Sequence, residues 1–508
     1  MKYLLGIDVG TTGTKVVLVT EAGKVTASAF EDYPLSTPQV DWVEQDPEDW
    51  WKATMKGIAK VMGDASVKTR EIAGIGLSGQ YHGAVLLDKA HHVLRPCILW
   101  CDQRTTEQVE YISKRISKEE LLRITGNPAS YYFTVCKILW VKENEPQVYE
   151  KLSHFLLPKD YVRLKLTGNL VTDVTDASGT LLLDVPERRW SSQIVDKLDL
   201  DKDILPDCRE SIEISGAITK KASELTGLNY GTPVVAGAGD QSAQAIGTGV
   251  IKEGVLACTM GTSGVVFAPT SLIRHDDRGR LDSFCFAIPD TWHTMGVMQS
   301  AGGSLRWFRD TLCDVEIKEA ENKRQDVYQL IVEQAERVPA GSENLIFLPY
   351  LSGERHPHSD AKARGIFFGL DMRHHKAHMI RSVLEGVVFG LRDSIEVMKE
   401  LHIPISEIRA TGGGARAKLW KQILADVTNS KVITVNSLEG AAYGAAILAS
   451  VGSGLYNSVN EVCNRLIRVI EETYPIKDNV KRYEDYYLLY RSLYPLLKDK
   501  FAELSSLQ

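Results

Sequence analysis

The eight cysteines of this 508-residue chain are too few and too scattered for a disulfide framework. Cys97 and Cys101 form the closest pair, and no second Cys/His pair stands near them to complete a zinc site. Reduced thiols in a cytoplasmic protein are the plain reading. Long apolar runs are missing too. Met1 to Val9 carries a lysine, a short apolar stretch and then Asp8, too short and too acidic for a signal peptide. No later run reaches membrane-spanning length, so no membrane partner is expected. A basic block is also missing: 59 Lys and Arg stand against 66 Asp and Glu, a formal charge of −7, so no nucleic-acid partner is expected. What remains is the composition of a globular protein, 44% hydrophobic and 25% charged, long enough for two or more domains.

The most informative feature is a repeat. Tyr3 to Val9 leads into Gly10-Thr11-Thr12-Gly13 and then the apolar run Val16 to Val19. Half a chain later, Val255 to Met260 leads into Gly261-Thr262-Ser263-Gly264 and then Val265 to Ala268. Each is a β-hairpin with a Gly-Thr turn. One hairpin per half predicts two similar domains, residues 1–248 and 249–508, with their turns facing a shared cleft. Strands are predicted at Ile72 to Leu77, Pro96 to Leu99 and Pro233 to Gly237. Ile380, Val383, Leu384, Val387, Val388 and Leu391 form the apolar stripe of a helix, and Leu419, Trp420, Ile423, Leu424 and Val427 form another. Between those helices, Ile408 to Thr411 enters Gly412-Gly413-Gly414, a strand–turn–helix arrangement suited to phosphate binding. The fold class is α/β.

Several segments offer chemistry, each with a plainer alternative. In the first hairpin turn, glycines let backbone N–H groups approach phosphate oxygens, and Lys15 can add positive charge. Asp8, ending the first strand, is placed to hold Mg²⁺, which takes few carboxylates and keeps several waters. The alternative is an ordinary hairpin whose Asp caps the turn. It is not a Walker A loop, since no Gly-x₄-Gly-Lys-Ser/Thr stands there. Gly237-Ala238-Gly239-Asp240-Gln241 exposes an acid at a strand end, where a carboxylate can accept the proton of an attacking hydroxyl. On local pattern alone, Asp240 reads better as a helix N-cap. Gly79-Gln80-Tyr81-His82-Gly83 makes a polar, aromatic corner suited to sugar hydroxyls, with His82 in binding rather than acid–base work. Trp100, Asp102 and Arg104 suit a carbohydrate pocket as well, although a Trp is by default core. Gly302-Gly303, opening a helix, suits a nucleotide or simply close helix packing.

Taken in order, these segments resemble the FGGY family of carbohydrate kinases, most specifically the branch acting on D-xylulose. The resemblance covers nearly the whole chain, adding Trp42 to Pro47, Thr172 to Thr180, Ser300 to Asp310, Leu351 to Arg355 and Thr411 to Arg416. It implies two actin-like domains of the ribonuclease H type around a central cleft. It also implies ATP-dependent phosphorylation of the terminal hydroxyl of a pentulose, with Mg²⁺. By matching position, Asp240 is the general base, and Asp8 and Asp240 serve the metal. Thr11, Thr12, Lys15, Gly261, Thr262, Gly302, Gly413 and Gly414 serve ATP. Tyr81, His82, Asp240 and Gln241 hold the sugar; Trp100 and Asp102 join them from the reading of residues. Two positions depart from the branch: Tyr81, where Met is common, and Gln241, where Asn is frequent. They bear on the identity of the sugar, so L-xylulose, ribulose and glycerol stand as alternatives. So, less favoured, does an actin-like ATPase without sugar transfer. The family further implies a homodimer.

Overall fold

The computed structural model describes residues 1–65, 67–437 and 439–507. The first hairpin opens a seven-stranded sheet built from β1 (Tyr3–Val9), β2 (Gly13–Thr20), β3 (Val25–Asp32), β4 (Ile72–Gly79), β5 (Ile214–Ala217), β6 (Pro233–Val235) and β7 (Ala238–Gly239). Its spatial order is β5-β6-β4-β1-β2-β3, with β7 also pairing β4. The second hairpin opens another seven-stranded sheet: β8 (Gly254–Met260), β9 (Gly264–Thr270), β10 (Asp282–Cys285), β11 (Trp292–Met298), β12 (Ile405–Thr411), β13 (Lys431–Val435) and β14 (Val469–Thr473). Its order is β10-β11-β9-β8-β12-β13-β14.

The two sheets are copies of one plan. Reading β3-β2-β1-β4-β6-β5 against β11-β9-β8-β12-β13-β14, the pairings run antiparallel, antiparallel, parallel, parallel, antiparallel in both. The central strands are apolar along most of their length, as sheets covered on both faces require.

Seven helices matter for the site: α1 (Pro158–Thr167), α2 (Val174–Ser178), α3 (Asp240–Gly247), α4 (Gly302–Leu312), α5 (Lys376–Glu400), α6 (Lys418–Thr428) and α7 (Gly440–Gly452). Both apolar stripes read from the sequence face the core, on α5 and α6, with Leu419 alone among their residues half-buried. The strand predicted at Pro96 to Leu99 is a two-residue piece, Cys97–Ile98.

The halves interlock through α3 and α7. A Cβ on Gly444 of α7 would lie 1.7 Å from the carbonyl oxygen of Ala243, and one on Gly247 of α3 would lie 2.4 Å from that of Gly440. Only glycine permits backbones this close. The same α7, although it follows β13 in the chain, seals the first sheet. Its Ala442 and Ala445 carbonyls sit 1.9 and 2.0 Å from where Cβ atoms of Gly6 and Gly76 would be. In return, α3 reaches the second sheet: Gln244 Nε2 donates to Thr259 Oγ1 (2.6 Å) and Thr411 Oγ1 (3.0 Å).

Among the described residues, no helix is long and apolar enough to cross a membrane, and all eight cysteines are free thiols.

Candidate active site

Register places the acids. In the parallel rows of the first sheet, Asp8 lies beside Ser78, and Ser78 beside Ala238; the next row is Val9, Gly79 and Gly239. Asp240 is the residue after that row. Both acids therefore stand at the carboxyl ends of parallel strands, where open α/β sheets bind ligands.

Gly239, not Asp240, occupies the N-cap of α3; Asp240 is its first helical residue. Its carboxylate is thus part of the helix's first turn, near the positive end of the dipole, and the cap reading is set aside. Gly239 is glycine for a packing reason: a Cβ there would sit 2.1 Å from the ring of Tyr81.

Burial perturbs both carboxylates, and the charge of Asp8 perturbs Asp240 further. Burial holds Asp8 up at about 6, eased by the Ser78 hydroxyl, which donates to Oδ1 at 3.0 Å, and by the charge of Lys15. Burial, and then the charge of Asp8, push Asp240 up to about 7; hydrogen bonds from Gln241 offset part of this. A carboxyl group titrating near neutrality is the poise that a general base needs. In the second copy of the hairpin, Thr259 stands where Asp8 stands in the first. There it bonds Thr411 at 2.9 Å, so the acid chemistry belongs to one copy alone.

The turn at Gly10-Thr11-Thr12-Gly13 is held from several sides. Trp100 Nε1 donates to Thr11 Oγ1 (3.0 Å), and Thr11 in turn donates to Gln80 Oε1 (3.2 Å). Gln45 Nε2 donates to the Thr11 carbonyl (2.7 Å), and Gln80 Nε2 and the Tyr33 hydroxyl donate to that of Gly10. Thr12 is exposed. Gln80, Gln45 and Tyr33 were not singled out as functional, although two lie inside segments quoted for the resemblance. Lys15 sits opposite Asp8, but its ammonium pairs with Glu439 at the start of α7.

Tyr81 and His82 form one wall. The His82 Nδ1 lies 2.7 Å from the Gly179 carbonyl, which can only accept. Nδ1 therefore carries the hydrogen and leaves Nε2 an acceptor. Burial, with Arg355 and Lys137 nearby, lowers the ring to about 3, so it is neutral at pH 7. The Tyr81 hydroxyl, read from sequence as a contact to sugar, bonds Ser242 Oγ of α3 at 3.1 Å. Its ring stacks on Phe284 of β10, contributed by the second half of the chain (centroids 5.9 Å apart). Tyr132 and Phe133 also pack on His82. Sequence reading missed these neighbours because nothing local marks them.

Asp102 requires a correction. Its carboxylate is fully buried and accepts from the Val43 N–H (2.6 Å) and from Arg104 Nε and Nη2 (2.9 and 2.7 Å). The Arg104 guanidinium lies 3.7 Å over the Trp42 ring and also pairs with Glu44. This is a fully buried ion pair that occupies both oxygens of Asp102 and leaves neither exposed to a ligand. Trp100 likewise spends its N–H on Thr11. A cavity of about 580 Å³, lined by Thr37, Val40, Trp42 and Cys101 among others, touches none of the expected site residues.

On the opposite side, the second Gly-Thr turn meets α4. The Gly302 N–H donates to the Gly261 carbonyl (2.7 Å), and those of Ala301 and Gly303 to the Thr262 carbonyl (2.9 Å each). A Cβ on Gly302 would lie 2.6 Å from the Gly261 oxygen. Gly413 faces open space, whereas Gly414 is buried against Met260 and Trp420. Of the two, Gly413 is the one a ligand can reach.

A sheet present in two copies, each opened by a Gly-Thr hairpin, with paired carboxylates at the strand ends of one copy, is the actin-like ATPase fold in two domains. Family models confirm the reading. The N-terminal domain of the FGGY family of carbohydrate kinases matches residues 3–247, and its C-terminal domain matches residues 256–453. A xylulose kinase of Bacillus subtilis is 38% identical over 506 residues, 100% of this chain and 99% of the relative. The crystal structure of a xyloylose kinase from Brucella ovis superposes with a TM-score of 0.88 at 35% identity, covering 98% and 99% of the two chains. A gluconate kinase from Lactobacillus acidophilus superposes at 0.91 and 29% identity, covering 99% of each. The chain belongs to the FGGY family of carbohydrate kinases, and is an ATP-using sugar phosphotransferase.

Proposed function

We propose that this enzyme transfers the γ-phosphoryl group of ATP to the terminal primary hydroxyl of D-xylulose, giving D-xylulose 5-phosphate. The observation that carries the chemistry is the Asp8–Asp240 pair at the strand ends. Asp240 orients the sugar hydroxyl and accepts its proton as the oxygen attacks phosphorus. A proton affinity near neutrality lets it be ionised at working pH and still hold the proton once taken. His82 Nε2 accepts from a sugar hydroxyl, and Gln241 offers an amide beside the base. The Gly10–Gly13 and Gly261–Gly264 turns, with Gly413, face the phosphates, and most of the rate gain is positioning.

The acids fit Mg²⁺. Among the described residues, no group of three or more His, Cys, Asp or Glu side chains is placed to hold a metal ion, but Mg²⁺ needs only one or two carboxylates alongside phosphate and water. Asp8 and Asp240 would hold it, and it would supply positive charge to the transferring phosphoryl group. The sugar is favoured as a pentulose by the xylulose kinase relatives; gluconate is the second reading, favoured by the gluconate kinase structure of equal fold similarity to the xylulose kinase from the same organism. A coupled ADP-release assay across D-xylulose, L-xylulose, D-ribulose, glycerol and gluconate decides by kcat/KM. D-xylulose should lead by tenfold or more; any other leader overturns the substrate.

A further inference from the structure

The segment Asp173-Val174-Thr175-Asp176 has no part in the chemistry above, yet it holds a dense buried charge cluster. Asp160, Asp173, Asp176 and Lys159 are all fully buried, and the Lys159 ammonium lies 2.5, 2.9 and 2.8 Å from Asp160, Asp176 and Asp173. Arg163 of α1 adds a second cation on Asp160 (3.1 Å). Asp173 Oδ2 also accepts from the Thr175 N–H (2.8 Å), the Thr175 hydroxyl (2.6 Å) and the Ser211 hydroxyl (3.0 Å).

That inventory fixes a direction. Asp173 Oδ2 is the acceptor in all three of these bonds. The Thr175 hydroxyl therefore gives its single hydrogen to Asp173. What it has left is a lone pair, and the Gly239 N–H, at 2.9 Å, donates into it. Gly239 is the residue before Asp240. Its neighbours in the turn are also pinned: the Gly237 N–H donates to the Ser211 carbonyl (3.0 Å), and Arg163 donates to the Ala236 carbonyl (2.6 Å).

We propose that Thr175 is a positioning residue for Asp240: the buried Lys159–Asp173 pair orients its hydroxyl as an acceptor that fixes the last backbone N–H before the base. This rests on the reading of Asp240 as base. Ser211 and Arg163 hold the start of the turn, β7 pairs with β4, and Thr175 takes the Gly239 N–H at the step at which the chain enters α3. A shift there moves the carboxylate without touching either nucleotide loop, and a misplacement of an ångström is expensive in a reaction that depends on positioning.

The test uses Thr175→Val, which keeps the shape and removes the hydroxyl, and Thr175→Ser, which keeps the hydroxyl. Steady-state kinetics with ATP and the preferred sugar of the panel should show Thr175→Val losing tenfold or more in kcat, with the KM for ATP within twofold. Thr175→Ser should recover kcat to within threefold of wild type. In an Asp240→Asn background, Thr175→Val should cost nothing further, since there is no base left to position. The proposal is overturned if Thr175→Val keeps wild-type kcat, if its loss falls on the KM for ATP, or if Thr175→Ser is as impaired as Thr175→Val. Full activity of Asp240→Asn alone would overturn the base assignment and the positioning role with it; an inactive Asp240→Asn beside an unimpaired Thr175→Val would overturn only the latter.

Discussion

Replacing Asp240 by Asn should abolish turnover and make the protein more stable, and the second effect has a definite pH signature. The carboxyl group is held at about 7 against an ordinary 3.8, first by burial and then by the charge of Asp8. Below pH 3.8 both folded and unfolded chains carry the proton, and the perturbation costs nothing. Between about pH 4 and 7 the unfolded chain releases it while the folded one retains it, so stability is lost progressively with rising pH. Above 7 the fold carries a half-buried, repelled carboxylate, and that half-burial holds the cost to about 2–4 kcal/mol. The amide of Asn has the same shape and never bears that charge. Thermal melts of both proteins from about pH 4 to 8 should coincide at the acid end and separate by several degrees at the alkaline end, where the wild type is the less stable of the two. Turnover should fall by about 10²–10⁴ for want of a base. A Tm difference equal at the two ends of that range, or turnover within tenfold of wild type, would refute the reasoning.

Three further outcomes follow from the same geometry. Wild-type kcat/KM should rise with pH through about 7 as the base ionises; in Asp8→Asn the residual activity should show that rise at lower pH, because the charge lifting Asp240 is gone, and an unmoved profile would contradict it. Gly302→Ala puts a methyl 2.6 Å from the Gly261 carbonyl and should raise the KM for ATP about tenfold while leaving that for sugar unchanged, measured by varying each substrate in turn. Gly444→Ala forces α3 and α7 apart at the Ala243 carbonyl and should destabilise the fold by about 1–3 kcal/mol, read as a lower midpoint in urea; an unchanged midpoint would mean the helix pair is not under the close packing described.

Local features were legible in the sequence, and cross-chain ones were not. The two hairpins are written in contiguous residues, so their strands, turns and the duplication they announce could be read directly, as could the helices marked by apolar stripes. The placement of α7 on the first sheet could not. It depends on Gly6, Gly76, Gly247 and Gly444 meeting backbones far away in the chain, and a glycine does not announce which backbone will approach it. Asp102 was misread for the same reason. Its pattern with Trp100 and Arg104 suits a sugar pocket, but only the fold shows Val43, Trp42 and Glu44 closing round the ion pair. For Asp240, the local pattern favoured a cap; burial at the start of α3 and then the charge of Asp8 are what give the carboxylate its perturbed affinity, and only the fold shows them.

The destination of the phosphate separates a sugar kinase from an ATPase most directly. Incubating the enzyme with γ-³²P-ATP, Mg²⁺ and D-xylulose, and separating sugar phosphate from inorganic phosphate, should show one labelled pentulose phosphate for each ADP formed, and none with Asp240→Asn. Label appearing only as inorganic phosphate, with or without sugar, would contradict phosphoryl transfer to the sugar.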